Sequence, residues 1–312
     1  MKNHSDARQI RIGTRGSALA LAQATEVQNR LSAIFGEEVS FETVIIKTSG
    51  DKILDRALAA VGGKGLFTKE LEEALFDNAI DIAVHSMKDM QAVLPDGLEI
   101  GCVLPREDVR DAFISPHFKS LSELPQGAVV GTASIRREAF IRNKRPDVKT
   151  VLFRGNVQTR LRKLEEGEAQ ATLLAAAGLK RLGLGDRITQ LIPVGEMLPA
   201  PAQGAIGIEI RSSDSATREI ISAIHDRDSG IAIEAERAFL SQLDGSCRTP
   251  IAGLARVDGE AISFTGIILT PDGARYYETE RKGSVADAAA LGKDAARELY
   301  DRGGKDVFRD AG

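Results

Sequence analysis

One pattern constrains the fold of this chain more than any other: a strand-like run that ends in Gly-Thr and opens straight into a helix, present twice. The two copies are Ile12-Gly13-Thr14-Arg15-Gly16-Ser17 and Val130-Gly131-Thr132-Ala133-Ser134-Ile135-Arg136-Arg137. Each puts Gly-Thr at the turn, a serine near the helix start and arginine close by. Ser17 suits an N-cap, because its hydroxyl can accept a free backbone N–H of the first turn. Exposed N–H groups at a helix start attract anions, and arginine adds bidentate recognition of carboxylates. A single such turn is common. Two in successive units point to a cleft with anion-binding walls on both sides.

The segments around these turns alternate between strand and helix patterns, which predicts sheets with helices on their faces. In the first unit, strands are expected at 9–14, 39–48, 80–85 and 98–104, helices at 17–35 and 68–78, and a long loop at 49–65. A second unit begins near Pro105, with strands at 111–115, 128–132, 149–153 and 171–175 and helices at 134–144 and 156–166. After Pro199 and Pro201 comes a strand at 205–211. The last ninety residues differ, with two helical stretches, strands at 253–257, 261–269 and 275–281, then a helix. The expected class is therefore α/β, with a smaller C-terminal α+β domain. The domain reading is 1–104 with 205–222, then 105–204, then 223–312.

Composition excludes several functions. The chain has 312 residues, 43% hydrophobic and 28% charged, with no Trp and a formal net charge of −4. Scarce aromatic residues and net negative charge argue against a nucleic-acid binder. Two distant cysteines argue against a disulfide framework, and four histidines without ligand spacing argue against a metal site. Cys102 reads as a small buried hydrophobe. The apolar stretch at 18–24 is too short for a membrane span and continues into a helical pattern, so a cytoplasmic protein is expected.

Chemistry concentrates in a few places. His85-Ser86-Met87-Lys88-Asp89 leaves a strand end, where ligand crevices form in open α/β sheets. Asp89 there could move protons or stabilise a cation; residue physics alone favours an ordinary loop ion pair or a helix cap, and gives His85 a structural hydrogen bond. Arg154-Gly155-Asn156 and Arg160 follow another strand, and Arg181 repeats the theme, while Arg162 and Lys163 read as solvated charges. Cys247 lies in a Gly- and Pro-flanked turn, where Arg248 could favour the thiolate. The run Val61-Gly62-Gly63-Lys64-Gly65 lacks P-loop spacing and suits a lid carrying Lys64 and Phe67.

Eight segments, in order, resemble the porphobilinogen deaminase family. They are Ile12–Ser17, Gly62-Gly63-Lys64-Gly65-Leu66-Phe67, His85–Asp89, Gly131–Arg137, Arg154-Gly155-Asn156, Ala176-Ala177-Gly178-Leu179-Lys180-Arg181, Gln203-Gly204-Ala205 and Gly245-Ser246-Cys247. The resemblance implies two lobes like those of type II periplasmic binding proteins, plus a third domain carrying the cysteine. It implies a dipyrromethane cofactor bound by thioether to Cys247. It also implies a transferase that condenses four porphobilinogens with loss of ammonia, then releases hydroxymethylbilane by hydrolysis, in tetrapyrrole and haem biosynthesis.

On this resemblance Asp89 is the catalytic residue. Lys88, Asp89, Ser134, Arg136, Arg137 and Arg154 hold the cofactor. Arg15, Ser17, Lys64, Phe67, Arg154, Arg160 and Arg181 meet the substrate. A monomer without metal, nucleic-acid or membrane partner is expected. Two positions depart from the family pattern: Ala60 where many members have Lys, and Gln91 where many have Pro. The competing readings are a two-lobed small-anion receptor without catalysis and a nucleic-acid-binding regulator.

Overall fold

The computed structural model describes residues 8–52, 65–243 and 249–308. Within these, the chain divides into two compact units. The first holds residues up to 106 together with 205–230, and the second holds 107–204 together with 231 onward.

The first unit is built on strands β1 (Arg8–Arg15), β2 (Val39–Ile46), β3 (Ile82–Ser86), β4 (Leu98–Val103) and β10 (Ile206–Arg211). Their order is β2-β1-β3-β10-β4. β1 runs parallel to β2 and β3, and β10 lies antiparallel between β3 and β4. Helix α1 (Ala18–Phe35) repeats its buried apolar residues at Ala20, Ala24, Val27 and Leu31, the spacing of one helical face. That face packs on Ile10, Ile12, Ile82, Val84, Ile206 and Ile208. Helix α2 (Lys69–Phe76) covers the other side through Leu71 and Leu75, against Ile80, Ala83 and Leu98. Central strands covered on both faces need near-continuous apolar sequence, and Ile82-Ala83-Val84 and Ile206–Ile210 supply it.

The second unit contains a sheet of β5 (Asp111–Ile114), β6 (Val129–Thr132), β7 (Lys149–Leu152), β8 (Ala171–Ala175) and β9 (Gln190–Leu191), in the order β7-β6-β8-β5-β9. β6 is parallel to β7 and β8, and β5 is antiparallel to β8. Both sheets therefore follow one plan. A first strand sits between the second and third, and an antiparallel strand from elsewhere in the chain follows. The repeated Gly-Thr turn closes that first strand in each, where the strand order reverses and an α/β sheet opens its ligand crevice.

The same unit carries a three-stranded antiparallel meander of β11 (Ile251–Asp258), β12 (Ala261–Leu269) and β13 (Tyr276–Ser284). Helices at Arg227–Gln242 and Ala288–Leu299 share its core, where the rings of Phe239 and Phe264 lie 4.9 Å apart. The architecture is thus α/β with a smaller C-terminal α+β part. Among the described residues no helix is long and apolar enough to cross a membrane. Residues 49–52, expected as loop, form one helical turn.

Candidate active site

The end of β1 and the end of β3 meet around a concavity of about 60 Å³ in the first unit. Arg15, Ser17, Gln23, Phe67, His85, Ser86 and Asp89 are among its lining residues. Ser17 is the N-cap of α1, accepting from the backbone N–H of Ala20 at 3.2 Å. Arg15 lies over the ring of Phe67, its guanidinium carbon 4.1 Å from the ring centroid. Stacking of this kind stabilises the cation while leaving its N–H edge able to take carboxylates.

Asp89 stands on a short 3-10 turn, Met87–Asp89, directly after β3. The turn is pinned from below. Met87 and Met90 are buried, the Met87 N–H donates to Ala205 O at 3.0 Å, and the Met90 N–H donates to Met87 O at 3.3 Å. Asp89 between them is exposed and pairs with no cation among the described residues. A carboxylate so placed can accept hydrogen bonds from a ligand and exchange protons with it. Lys88 beside it is half-buried.

Two polar residues of this region escaped the sequence reading. Gln23, buried on the apolar face of α1, exchanges hydrogen bonds with Ser86 Oγ at 2.8 and 3.1 Å. Glu209, buried in β10, lies 2.9 Å from His85 Nε2. A polar residue inside an apolar stripe was the signal in both cases. Gln91, which stands where many family members have Pro, donates to Glu72 Oε1 at 3.1 Å.

In the second unit Ser134 caps helix Ile135–Lys144 and accepts from the Arg137 N–H at 3.4 Å. Here both arginines of the motif have a partner within the protein. Arg136 and Arg137 are each 4% exposed and both bind Asp111, which is fully buried. Side chains in the first turn of a helix tilt back toward its N-terminus, which carries these two onto the sheet. Burial alone would raise the Asp111 carboxyl; the charges and hydrogen bonds of Arg136 and Arg137 overcome it and hold the group well below the usual carboxylate range. Among the described residues, these two guanidinium groups share one carboxylate as their ion-pair partner. Arg136 Nε is buried with no hydrogen-bond partner among the described residues.

The remaining sequence-predicted residues lie around the same sheet. Arg154 and Arg160 are half-buried near the end of β7, where Asn156 caps the next helix and Arg160 Nε donates to Gly155 O at 2.9 Å. Arg181 donates to Gly204 O at 3.0 Å. Arg162 is exposed and Lys163 lies over the Phe153 ring at 5.6 Å. Lys64 and Cys247, and with them Ala60, lie outside the described residues. A larger hollow of about 300 Å³, lined by Lys144, Glu196, Arg256, Tyr276 and Glu278 among others, contains none of these residues. Size does not pick the site; strand ends and chemistry do.

Residues 10–219 match the family model described as porphobilinogen deaminase, dipyromethane cofactor binding domain, and residues 231–301 match porphobilinogen deaminase, C-terminal domain. The chain belongs to the porphobilinogen deaminase family. A porphobilinogen deaminase of Paracoccus denitrificans is 58% identical over 300 residues, covering 96% of both chains. A chloroplastic porphobilinogen deaminase of Oryza sativa is 55% identical over 305 residues, 96% of this chain and 85% of that one. Among solved structures, a YaeC-family lipoprotein from Enterococcus faecalis superposes with a TM-score of 0.43 at 11% identity, over 76% of this chain and 97% of that one.

Proposed function

We propose that this protein is a hydroxymethylbilane synthase, a transferase that condenses four porphobilinogens head to tail with release of ammonia and frees the linear product by hydrolysis. The observation that carries this reading is Asp89: an exposed carboxylate on a pinned turn, in a cavity shared with a stacked arginine, in a member of the porphobilinogen deaminase family. The anion-receptor reading would account for the arginines and leave such a carboxylate without a task.

A dipyrromethane carries acetate and propionate groups, so a pocket for it needs uncompensated positive charge. The buried Arg136–Asp111–Arg137 cluster fits that need, with Arg136 Nε as a spare donor. In this reading Ser134, Arg136, Arg137, Arg154 and Lys88 hold its carboxylates and Cys247 binds it by thioether. When bound, it supplies the pyrrole α-carbon to which the first porphobilinogen is joined.

Arg15, Ser17, Arg160 and Arg181 take substrate carboxylates, and Lys64 and Phe67 help to close over it. Asp89 accepts the pyrrole N–H of the incoming unit. The aminomethyl C–N bond of that unit breaks, nitrogen leaves with the electron pair as ammonia, and Asp89 stabilises the cation that remains. A C–C bond forms to the α-carbon of the acceptor pyrrole, and Asp89 takes the proton that carbon loses and returns it to solvent. We further propose a cytoplasmic monomer of three domains, with the meander of 251–284 in the third.

The deciding experiment pairs intact mass with turnover. Wild type should carry the added mass of two linked pyrroles, absent in Cys247→Ser. Asp89→Ala should keep the fold by circular dichroism and lose about 10²- to 10⁴-fold in turnover, the usual weight of positioned proton transfer. An unmodified wild-type mass that stays unchanged after incubation with porphobilinogen would refute the reading.

A further inference from the structure

His85 and Glu209 form a buried ionisable pair for which the proposed reaction has no use. Nε2 and Oε2 lie 2.9 Å apart, with 4% and 0% of the two side chains exposed. The pair bridges β3 and β10, neighbours in the middle of the sheet, whose register sets Ala83 against Glu209 and Gly207 against His85. Side chains opposite one another share a face, so His85 and Glu209 stand on one face of the sheet with Ala83 and Gly207 opposite them. The space over Gly207 is filled by Met87: a Cβ at Gly207 would lie 2.0 Å from its Sδ.

Such a pair is a poor way to build a core. Two apolar residues of similar volume would stabilise the sheet as well or better, since burying these polar groups costs about as much as the bond between them returns. Glu209 Oε1 adds to the cost, being buried with no hydrogen-bond partner among the described residues. What the pair does supply is a directional link. Regular pairing of β3 with β10 ends at Ser86, one residue past His85, and continues only through the Met87 N–H to Ala205 O. Asp89 sits two residues further on and takes its place in the cavity from that strand end. His85 itself lines the same cavity.

We infer that His85 and Glu209 are positioning residues for Asp89: the imidazole–carboxylate bond locks the end of β3 on β10 and so fixes where the carboxylate stands. This rests on the reading of Asp89 as the proton-handling group. Binding of substrate carboxylates falls to arginines on other elements, so the pair governs the chemical step and not affinity. Misplacing a reacting group by about 1 Å costs up to about a hundredfold in rate.

The test compares wild type, Asp89→Asn, Glu209→Ala, Glu209→Gln and the double variant His85→Leu with Glu209→Met, each read for kcat, KM, thermal midpoint and intact mass. The double variant should melt no lower than wild type, as an apolar replacement of a buried pair does. Its kcat should fall about tenfold or more at a KM within about twofold of wild type. Glu209→Gln keeps an acceptor for the imidazole N–H and should recover kcat to within about threefold of wild type. Glu209→Ala should match the double variant, and decides the matter if the double variant does not fold. Wild-type kcat in Glu209→Ala or in the double variant overturns the inference, as does a KM rise without loss of kcat. Full turnover in Asp89→Asn is a separate failure: it removes the Asp89 reading and the inference with it.

Discussion

Replacing Asp111 with asparagine would leave the second unit holding two arginines that its interior cannot easily keep. Asp111 Oδ2 accepts from Arg136 Nη2 at 2.7 Å, and Oδ1 accepts from Arg137 Nε at 3.0 Å and Nη2 at 2.7 Å, with Gln203 Nε2 at 3.0 Å. The amide keeps one acceptor oxygen but turns an NH₂ group toward a guanidinium and leaves two buried positive charges unbalanced. Removing one partner of a buried pair costs about 3–5 kcal/mol. The arginines retain backbone acceptors at Leu198 O and Leu173 O, at 2.7 and 2.9 Å, which argues for the lower end. At about 2–4 °C per kcal/mol for a unit of this size, a loss near 3 kcal/mol lowers the melting temperature by about 6–12 °C.

The assay is thermal unfolding of wild type and Asp111→Asn by circular dichroism across pH. Because the folded-state carboxyl is held below its ordinary value, its stabilisation is present above the unfolded value and is lost as pH falls through the folded one. The gap between the two proteins should therefore hold from pH 8 down to about 4 and narrow only in stronger acid. A gap under about 2 °C at neutral pH would show that Asp111 does not hold the arginines, and the magnitude argued from buried pairs would fall.

Three further outcomes follow from individual contacts. Gly207→Ala must push Met87 aside from a 2.0 Å overlap, so it should cost about 1–3 kcal/mol and slow turnover, because Met87 is a foot of the Asp89 turn; unchanged melting and kcat would refute this. Burial pushes the Cys102 thiol up to about 12, so in a Cys247→Ser background iodoacetamide at pH 8 should leave the native protein unlabelled. The raised folded value also means that the stabilisation by Cys102 is complete below the unfolded value of about 8.5 and declines by about 1.4 kcal/mol per pH unit above it, which denaturant titrations at pH 8 and 10 would reveal.

The parts of the fold that rest on local chemistry were legible in the sequence. Ser17 caps α1 as expected, and the helices expected to begin at Ser134 and Asn156 are capped by those residues, because a short side-chain oxygen can accept a free N–H of the first turn. The run 261–269 forms a strand with the expected bounds. What the sequence hid depends on long-range register. Glu209 meets His85 across 124 positions and Gln23 meets Ser86 across 63, so each appears along the chain as a lone polar residue in an apolar run. Arg136 and Arg137 illustrate a different loss. Charge and motif marked them as anion binders, but nothing along the chain announced the carboxylate, 25 and 26 residues away, to which the backward tilt of first-turn side chains also carries them.

The two units share one strand plan and one turn, yet put opposite electrostatics at the reversal of strand order. In the proposed reaction Asp89 gains and loses a proton in every cycle and has to stay within reach of its ligand and of water; it is exposed and, among the described residues, pairs with no cation. Groups proposed to hold a carboxylate permanently gain from the reverse, a dry surrounding in which, among the described residues, two guanidinium groups share one carboxylate. The same plan accommodates both because the differing residues flank the serine cap and leave the Gly-Thr step unchanged. In the first unit Arg15 precedes the cap and stacks on Phe67; in the second the arginines follow the cap and turn inward. Arginine on one side of a serine cap thus reaches an aromatic ring, and on the other side a buried carboxylate.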